Sequence, residues 1–288
     1  MAIVLDRPEV DGLSEVVGAL REWQYDGAPM QLHPGDLGWF WRSGGEATAA
    51  AVRTWSQDGR MLAVGLLDSP GLLRLTIAPD AQRDEVLARQ LAVDVTEPAH
   101  GVLPEGRVSI DTPSGALVQE LLLADGWNAA EPWTPLRRDL TEPVADPGLR
   151  IEVAGPEQAH VFAAVQRAAF DRSRFTAERW HAMAAGSPYA DARCLVAYDD
   201  RGNAVAGVIV WSAGPGRPGV LEPMGVHRDH RRHGYGAAIS VAAAAALQEL
   251  GSSSALVCTP SSNVAAVATY QSAGFQQRAV VRDLCRGA

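Results

Sequence analysis

Apolar positions along this chain follow two different periods. Leu149–Val153, Cys194–Tyr198, Ala204–Trp211 and Val220–Val226 read as short strands. His160–Phe170 instead places Val161, Phe162, Val165 and Ala169 at helical spacing behind Pro156, a residue suited to a helix start. Thr176 can cap a second short helix through Trp180 and Met183. The turn Asp199-Asp200-Arg201-Gly202-Asn203 separates two of the strands. Gly236–Leu250 is an alanine-rich helix closed by Gly251. Beyond it the pattern predicts a strand at Ala255–Cys258, a helix over Ser262–Ser272 stopped by Gly274, and a last strand at Gln277–Leu284. Strands and helices in this order predict an α/β fold (α+β in its mixed central sheet).

The first half repeats the later part of this pattern. Leu73-Arg-Leu-Thr-Ile-Ala-Pro-Asp and a helix through Gln82–Val95 parallel Glu222–Asp229 and the helix after it. Asp111-Thr-Pro-Ser, a helix and Ala124-Asp-Gly-Trp127 parallel Cys258-Thr-Pro-Ser, a helix and Ser272-Ala-Gly-Phe275. Arg138-Asp-Leu140 matches Arg282-Asp-Leu284. Three blocks in the same order predict a duplicated fold. The linker falls at Thr141–Gly148, where two prolines and a glycine interrupt any regular element. The expected domains are therefore 1–143 and 144–288.

Composition narrows the function classes. With 47% hydrophobic and 20% charged residues among 288, the chain reads as an ordinary globular protein of two-domain length. A formal net charge of -9 argues against nucleic acid as a partner, which needs a basic face. The three cysteines follow no CxxC spacing, so neither a disulfide framework nor a zinc site is expected. The N-terminus has no signal-peptide pattern, and the longest apolar run, Val241–Leu247, is too short to span a bilayer. A cytoplasmic protein with no membrane partner is expected.

The sharpest chemistry lies at Val226-His-Arg-Asp-His-Arg231-Arg-His-Gly234-Tyr-Gly236, between a strand and the long helix. Glycines at 234 and 236 let backbone N–H groups approach a ligand closely, and a helix N-terminus favours negative charge. A pyrophosphate suits such a place, and Arg228, Arg231 and Arg232 add local positive charge. The bland alternative is a glycine turn before a helix with a solvated basic face. The Gly-Lys-Ser/Thr ending of a Walker loop is absent, as is the early βαβ context of a dinucleotide fold.

Arg231-x-x-Gly234-x-Gly236 after a strand ending at Val226 resembles the acyl-coenzyme A signature of the GNAT N-acetyltransferase superfamily. Asn263-Val-Ala-Ala-Val-Ala-Thr-Tyr270-Gln-Ser-Ala-Gly274-Phe275 resembles the same superfamily's asparagine-to-tyrosine helix and Gly-Phe ending. The resemblance covers roughly Leu149 to the C-terminus and implies two tandem GNAT-like domains with acetyl-CoA as co-substrate. It implies that backbone groups of Arg231, Arg232, His233, Gly234, Tyr235, Gly236 and Ala237 hold the pyrophosphate. Met224 and Val226 would pair with the pantetheine arm as an added strand does, and Asn263 would hydrogen-bond near it. The tandem arrangement at this length is also similar to that of mycothiol synthases, which makes a cysteinyl glycoside amine one acceptor among several.

Acyl transfer to an amine must remove a proton from a group with a pKa of about 10.4 and give one to a departing thiolate. Tyr270 matches the family position of the general acid; its bland reading is a core tyrosine beside Phe275. Glu222 stands on the strand leading to the cradle, where many family members carry an acid that deprotonates the amine. The bland reading of Glu222 is a substrate-binding carboxylate. Val226 N–H could polarise the thioester carbonyl. His227, His230 and His233 recur every three residues without an acidic or cysteine partner, so no metal is expected. Cys258 reads as a small buried hydrophobe rather than an acyl carrier.

In the first half, Gln82-Arg-Asp-Glu85-Val-Leu87 replaces the cradle, and Leu122 stands where Tyr270 stands. Both glycines are gone and Glu85 would repel a phosphate, so this half is expected to be degenerate. Six of the eight tryptophans lie there, read mainly as packing, with Trp39 and Trp41 behind a turn-rich segment. The expected activity is N-acetyl transfer from acetyl-CoA to an amine-bearing acceptor, a small molecule or peptide. The alternative is a non-catalytic acyl-CoA-binding regulator or interaction protein, which would need neither Tyr270 nor Glu222.

Overall fold

The computed structural model describes residues Ala2–Gly287. The first elements are β1 (Val4–Asp6), α1 (Leu13–Glu22), α2 (Pro34–Phe40), α3 (Gly45–Ala51), β2 (Val52–Gln57), β3 (Arg60–Ser69) and β4 (Leu72–Ile77). Then come α4 (Glu85–Thr96), β5 (Val108–Asp111), α5 (Leu117–Ala124), β6 (Asn128–Asp139), β7 (Arg150–Val153), α6 (Ala159–Ala169) and α7 (Ala177–Ala184). The remainder is β8 (Ala192–Tyr198), β9 (Ala204–Ser212), β10 (Gly219–Val226), α8 (Tyr235–Glu249), β11 (Ser254–Pro260), α9 (Val264–Ser272), β12 (Gln276–Gln277) and β13 (Val281–Arg286).

These elements form two compact units that do not follow a single cut at the linker. The first contains the chain up to His33, Gly45–Trp133 and everything from Val280 on; the second contains Pro34–Gly44 and Thr134–Ala279. The expected division at 143/144 left both exchanged segments, Pro34–Gly44 and the C-terminal strand, with their sequence neighbours. Neither exchange has a composition signal, because α2 and β13 look like ordinary elements of the half in which they occur.

The first unit's sheet runs β1-β2-β3-β4-β5-β13 and ends on the first half of β6. β4 and β5 are parallel, and β13 enters antiparallel between β5 and β6, with Leu284 opposite both Ile110 and Ala129. α1 buries Leu13, Val16, Val17 and Leu20, the one-sided stripe of an amphipathic helix. Behind the sheet, the almost fully buried Asp94 carboxylate accepts from Trp55 Nε1 at 2.8 Å, Gln90 Nε2 at 2.9 Å and His100 Nδ1 at 2.8 Å. A buried carboxylate is tolerated because three donors replace its water. Asp94→Ala leaves the Trp55 N–H without a partner, and urea unfolding should show a loss of about 2–3 kcal/mol. A loss under about 0.5 kcal/mol would contradict the account.

The second unit's sheet runs from the second half of β6 through β11, β10, β9 and β8 to β7, with β12 also paired to β6. Its central strand β9 is buried along nearly its whole length because helices cover both faces. Leu195 and Ala197 of β8 join a core with α8 and α9, while Cys194, Val196 and Tyr198 join a second core with α6 and α7. Thr176 caps α7 through Arg179 N–H, as the sequence suggested. The segment read as turn-rich, His33–Gly38, is instead largely helix α2, with proline at its first position. Trp39 stacks on Phe175 with centroids 5.2 Å apart, and Arg42 lies 4.3 Å over the Trp39 ring.

Two expected boundaries differ for stated reasons. The last strand is split into β12 and β13, and the break faces Pro135 of β6, which has no N–H to continue the ladder. α4 begins at Glu85 rather than Gln82, since Asp84 caps it by accepting from Leu87 N–H at 2.8 Å. Among the described residues, no helix is long and apolar enough to cross a membrane.

Candidate active site

The loop between β10 and α8 alternates backbone handedness. Arg231 is extended, Arg232 has φ 67°, and Gly234, the N-cap of α8, has φ 84°. Such alternation turns successive N–H groups toward one concave side, an anion-binding arrangement. Arg232 is a non-glycine residue in the left-handed region, a cost that persists where surrounding structure enforces it. Gly234 makes no side-chain cap, and a Cβ built on it meets nothing within 4 Å. The first helical N–H groups, at Tyr235, Gly236 and Ala237, have no intrahelical acceptor. A Cβ on Gly236 would stand 2.8 Å from Thr269 Cγ2, so the glycine is what lets α8 start against α9.

The contrast with α4 is direct. There the N-cap is Asp84, whose own carboxylate takes the position an external anion would need. The charge feared at Glu85 is thus accompanied by a neighbour that closes the helix end.

The arginines divide their work. Arg231 donates to Ala169 O at 2.7 Å, and Arg228 to Ala168 O at 2.8 Å and Arg167 O at 3.2 Å. These carbonyls end α6, where no intrahelical donor remains. Two of the three cations read as phosphate partners thus spend their guanidinium groups fixing the loop to α6. Arg232 and His233 are exposed; His233 Nδ1 donates to Arg231 O at 2.8 Å and its ring stacks on Tyr235. His227 and His230 meet edge to face, with centroids 5.1 Å apart.

β10 carries the second half of the site. Leu221 pairs with Val210 and Met224 with Val208, so one extra residue bulges at Glu222–Pro223. Proline cannot donate, which explains why pairing fails there. Among the described residues, β10 pairs with the parallel β11 only at Gly219 and Val220; Met224–Val226 pair with β9 alone. His227 N–H donates to Val205 O on the β9 side, so the preceding Val226 N–H points to the opposite edge, where β11 has diverged. The splay offers backbone groups to an extended ligand.

Tyr270 lies on α9, almost fully buried, with Phe275 tilted beside it at 5.8 Å. Burial pushes its phenol well above the ordinary range, and the nearby charges of Glu222 and Cys258 push it further. It is therefore a core tyrosine, as the bland reading had it, and also a phenol within electrostatic reach of Glu222. Glu222 itself is half-buried. Asn263 caps α9, its Oδ1 accepting from Ala266 N–H at 3.2 Å, so the end left for a ligand is its NH2 donor. Among the described residues no group of three histidine, cysteine or acidic side chains is arranged to hold a metal ion.

The sequence reading missed Trp211 and the Pro34–Gly44 segment. Trp211 is buried, and its Nε1 donates to Glu222 O at 2.7 Å. The only signal was two glycines at spacing three in the α2 segment, which by itself reads as a turn.

Residues 160–275 match the Acetyltransferase (GNAT) family. A search of curated protein sequences found no match. Among solved structures, a GCN5-related N-acetyltransferase from Sphaerobacter thermophilus is similar at 18% identity and TM-score 0.60, covering 99% of this chain and 95% of its own. A GNAT-family acetyltransferase from Colwellia psychrerythraea is similar at 17% identity and TM-score 0.59, covering 99% and 98%. A tandem GNAT protein from the clavulanic acid biosynthesis pathway is similar at 15% identity and TM-score 0.61, covering 99% and 98%. At these identities the likeness is one of fold, and it extends over nearly the whole chain rather than the second half alone. The protein thus has a GNAT fold, and its residues 160–275 match the GNAT acetyltransferase family, whose members transfer acyl groups from acyl-coenzyme A.

Proposed function

We propose that the second unit is an acetyl-CoA-dependent N-acetyltransferase and that the first is a degenerate copy without coenzyme binding. One observation carries the reading: α8 begins at a left-handed glycine with no side-chain cap beside the unpaired edge of Met224–Val226, whereas α4 is closed by Asp84. The open helix end suits a pyrophosphate, and the free strand edge suits an amide-bearing arm. Bound acetyl-CoA would supply a thioester carbonyl open to attack.

The chain's own groups then have separable tasks. The N–H groups from Arg231 to Ala237 hold the phosphates, with Arg232 adding charge. Main-chain groups of Met224 and Val226 align the arm, Asn263 donates to it, and Val226 N–H polarises the carbonyl oxygen. Glu222 takes the proton from the acceptor amine, directly or through water. Tyr270 holds a proton on its hydroxyl, as any phenol does at neutral pH, and gives it to the departing sulfur.

The test is thiol release from acetyl-CoA with spermidine, tyramine, an aminoglycoside, a cysteinyl glycoside and a lysine peptide, with propionyl-CoA run in parallel. Release above the amine-free rate on one of these acceptors is the expected result. Coenzyme binding by calorimetry without release on any amine would favour the regulator reading instead.

A further inference from the structure

Glu222 sits in a bulge, where strand pairing does not fix the backbone. A carbonyl at such a break in register is open to a donor from outside the ladder. Here the Trp211 indole reaches along the sheet and donates from Nε1 to Glu222 O at 2.7 Å. The indole is itself confined. A Cβ built on Gly35 would lie 2.5 Å from Trp211 Cβ, and one on Gly38 closer still to Trp211 Cζ3. Both distances are shorter than any real carbon contact, so the ring lies flat against α2 because these two positions carry hydrogen. On another side Tyr189 meets the indole edge to face at 6.0 Å. Trp211 is 1% exposed, and a ring so enclosed keeps one orientation.

We propose that Trp211, held in place by Gly35 and Gly38 of the Pro34–Gly44 segment, is a positioning residue that sets the Glu222 backbone and so aims its carboxylate. This rests on the reading of Glu222 as the base. It gives the first half of the sequence a task in the chemistry of the second unit, delivered through a helix rather than through a ligand contact. A displacement of about 1 Å at a reacting group can cost about a hundredfold, so the lever is large enough to matter.

Two readouts test it, one independent of any acceptor. 3-Fluorotyrosine placed at 270 gives a 19F signal that senses the Glu222 charge. An acid-side step in its pH titration that Glu222→Gln removes belongs to Glu222. Replacing Trp211 by 3-benzothienylalanine keeps the ring shape and removes the N–H; the expected result is a displaced or diminished step with coenzyme A binding unchanged. An unaltered step overturns the proposal.

The second readout is thiol release on the best amine of the panel. Removing the indole N–H should lower turnover about tenfold in the native background and under about twofold in Glu222→Gln. Equal losses in both backgrounds would mean that Trp211 acts by packing alone, which also overturns it. Gly38→Ala should reproduce the defect, and Trp211→Phe, whose smaller ring leaves room for the methyl, should abolish the additional cost of Gly38→Ala. Failure of Glu222→Gln to alter either readout would instead sink Glu222 as the base, a result separable from failure of the Trp211 arm.

Discussion

Tyr270→Phe is expected to lower acetyl transfer by about ten- to a hundredfold. The substitution keeps the ring against Phe275, so it removes a hydroxyl and little else. A tyrosine is already protonated at neutral pH, and burial first, with the Glu222 charge second, moves its ionisation still further from that range. Because the native group is already in its proton-donating form throughout the neutral range, the loss should be nearly the same at every pH there. Coenzyme A affinity, measured by calorimetry, should stay within about twofold, since the interaction removed belongs to the departing sulfur rather than to binding. Unchanged turnover on a working acceptor would take Tyr270 out of the mechanism and leave it as a core residue.

The second large effect is on binding. Gly234→Glu forces a side chain into a φ of 84° and puts a carboxylate at the start of α8. The backbone strain costs about 1–2 kcal/mol, and a carboxylate set against a phosphate costs several kcal/mol more. Each 1.4 kcal/mol is about tenfold, so coenzyme A affinity should fall at least about a hundredfold. Gly234→Ala carries the strain without the charge and should lose about tenfold. Equal affinities for wild type and Gly234→Glu would mean that the pyrophosphate does not bind at this helix end. The charged variant recreates at α8 what Asp84 already does at α4.

Much of the second unit was legible because its signals are local. Thr176, Gly251 and Gly274 end or begin helices through their own backbone or side chain, and short apolar runs such as Ala204–Trp211 mark strands. The bulge at Glu222 was foreshadowed by Pro223, whose missing donor is a property of that residue alone. What stayed hidden depends on distant partners. Nothing in Arg228 or Arg231 says that their side chains turn to the end of α6 rather than to a phosphate. Nothing in Gly35 or Gly38 names Trp211 as the ring lying on them, since that meeting spans more than 170 residues of sequence. The exchange of Pro34–Gly44 and β13 was invisible for the same reason: the first reads locally as a turn and the second as an ordinary strand, and neither names its distant partners.

That exchange has a practical meaning for anyone cutting the gene at its seam. A fragment starting at the proline-rich linker would lack the helix that Gly35 and Gly38 bring to Trp211 and the β6 segment that Arg138 ties to Ala273 O at 2.6 Å. The complementary fragment would lose β13 from the interior of its sheet and expose the edges of β5 and β6. Exposed edges of this kind invite pairing with foreign strands. Each unit is thus completed by a segment encoded in the other half of the chain, and neither half of the gene encodes a whole unit.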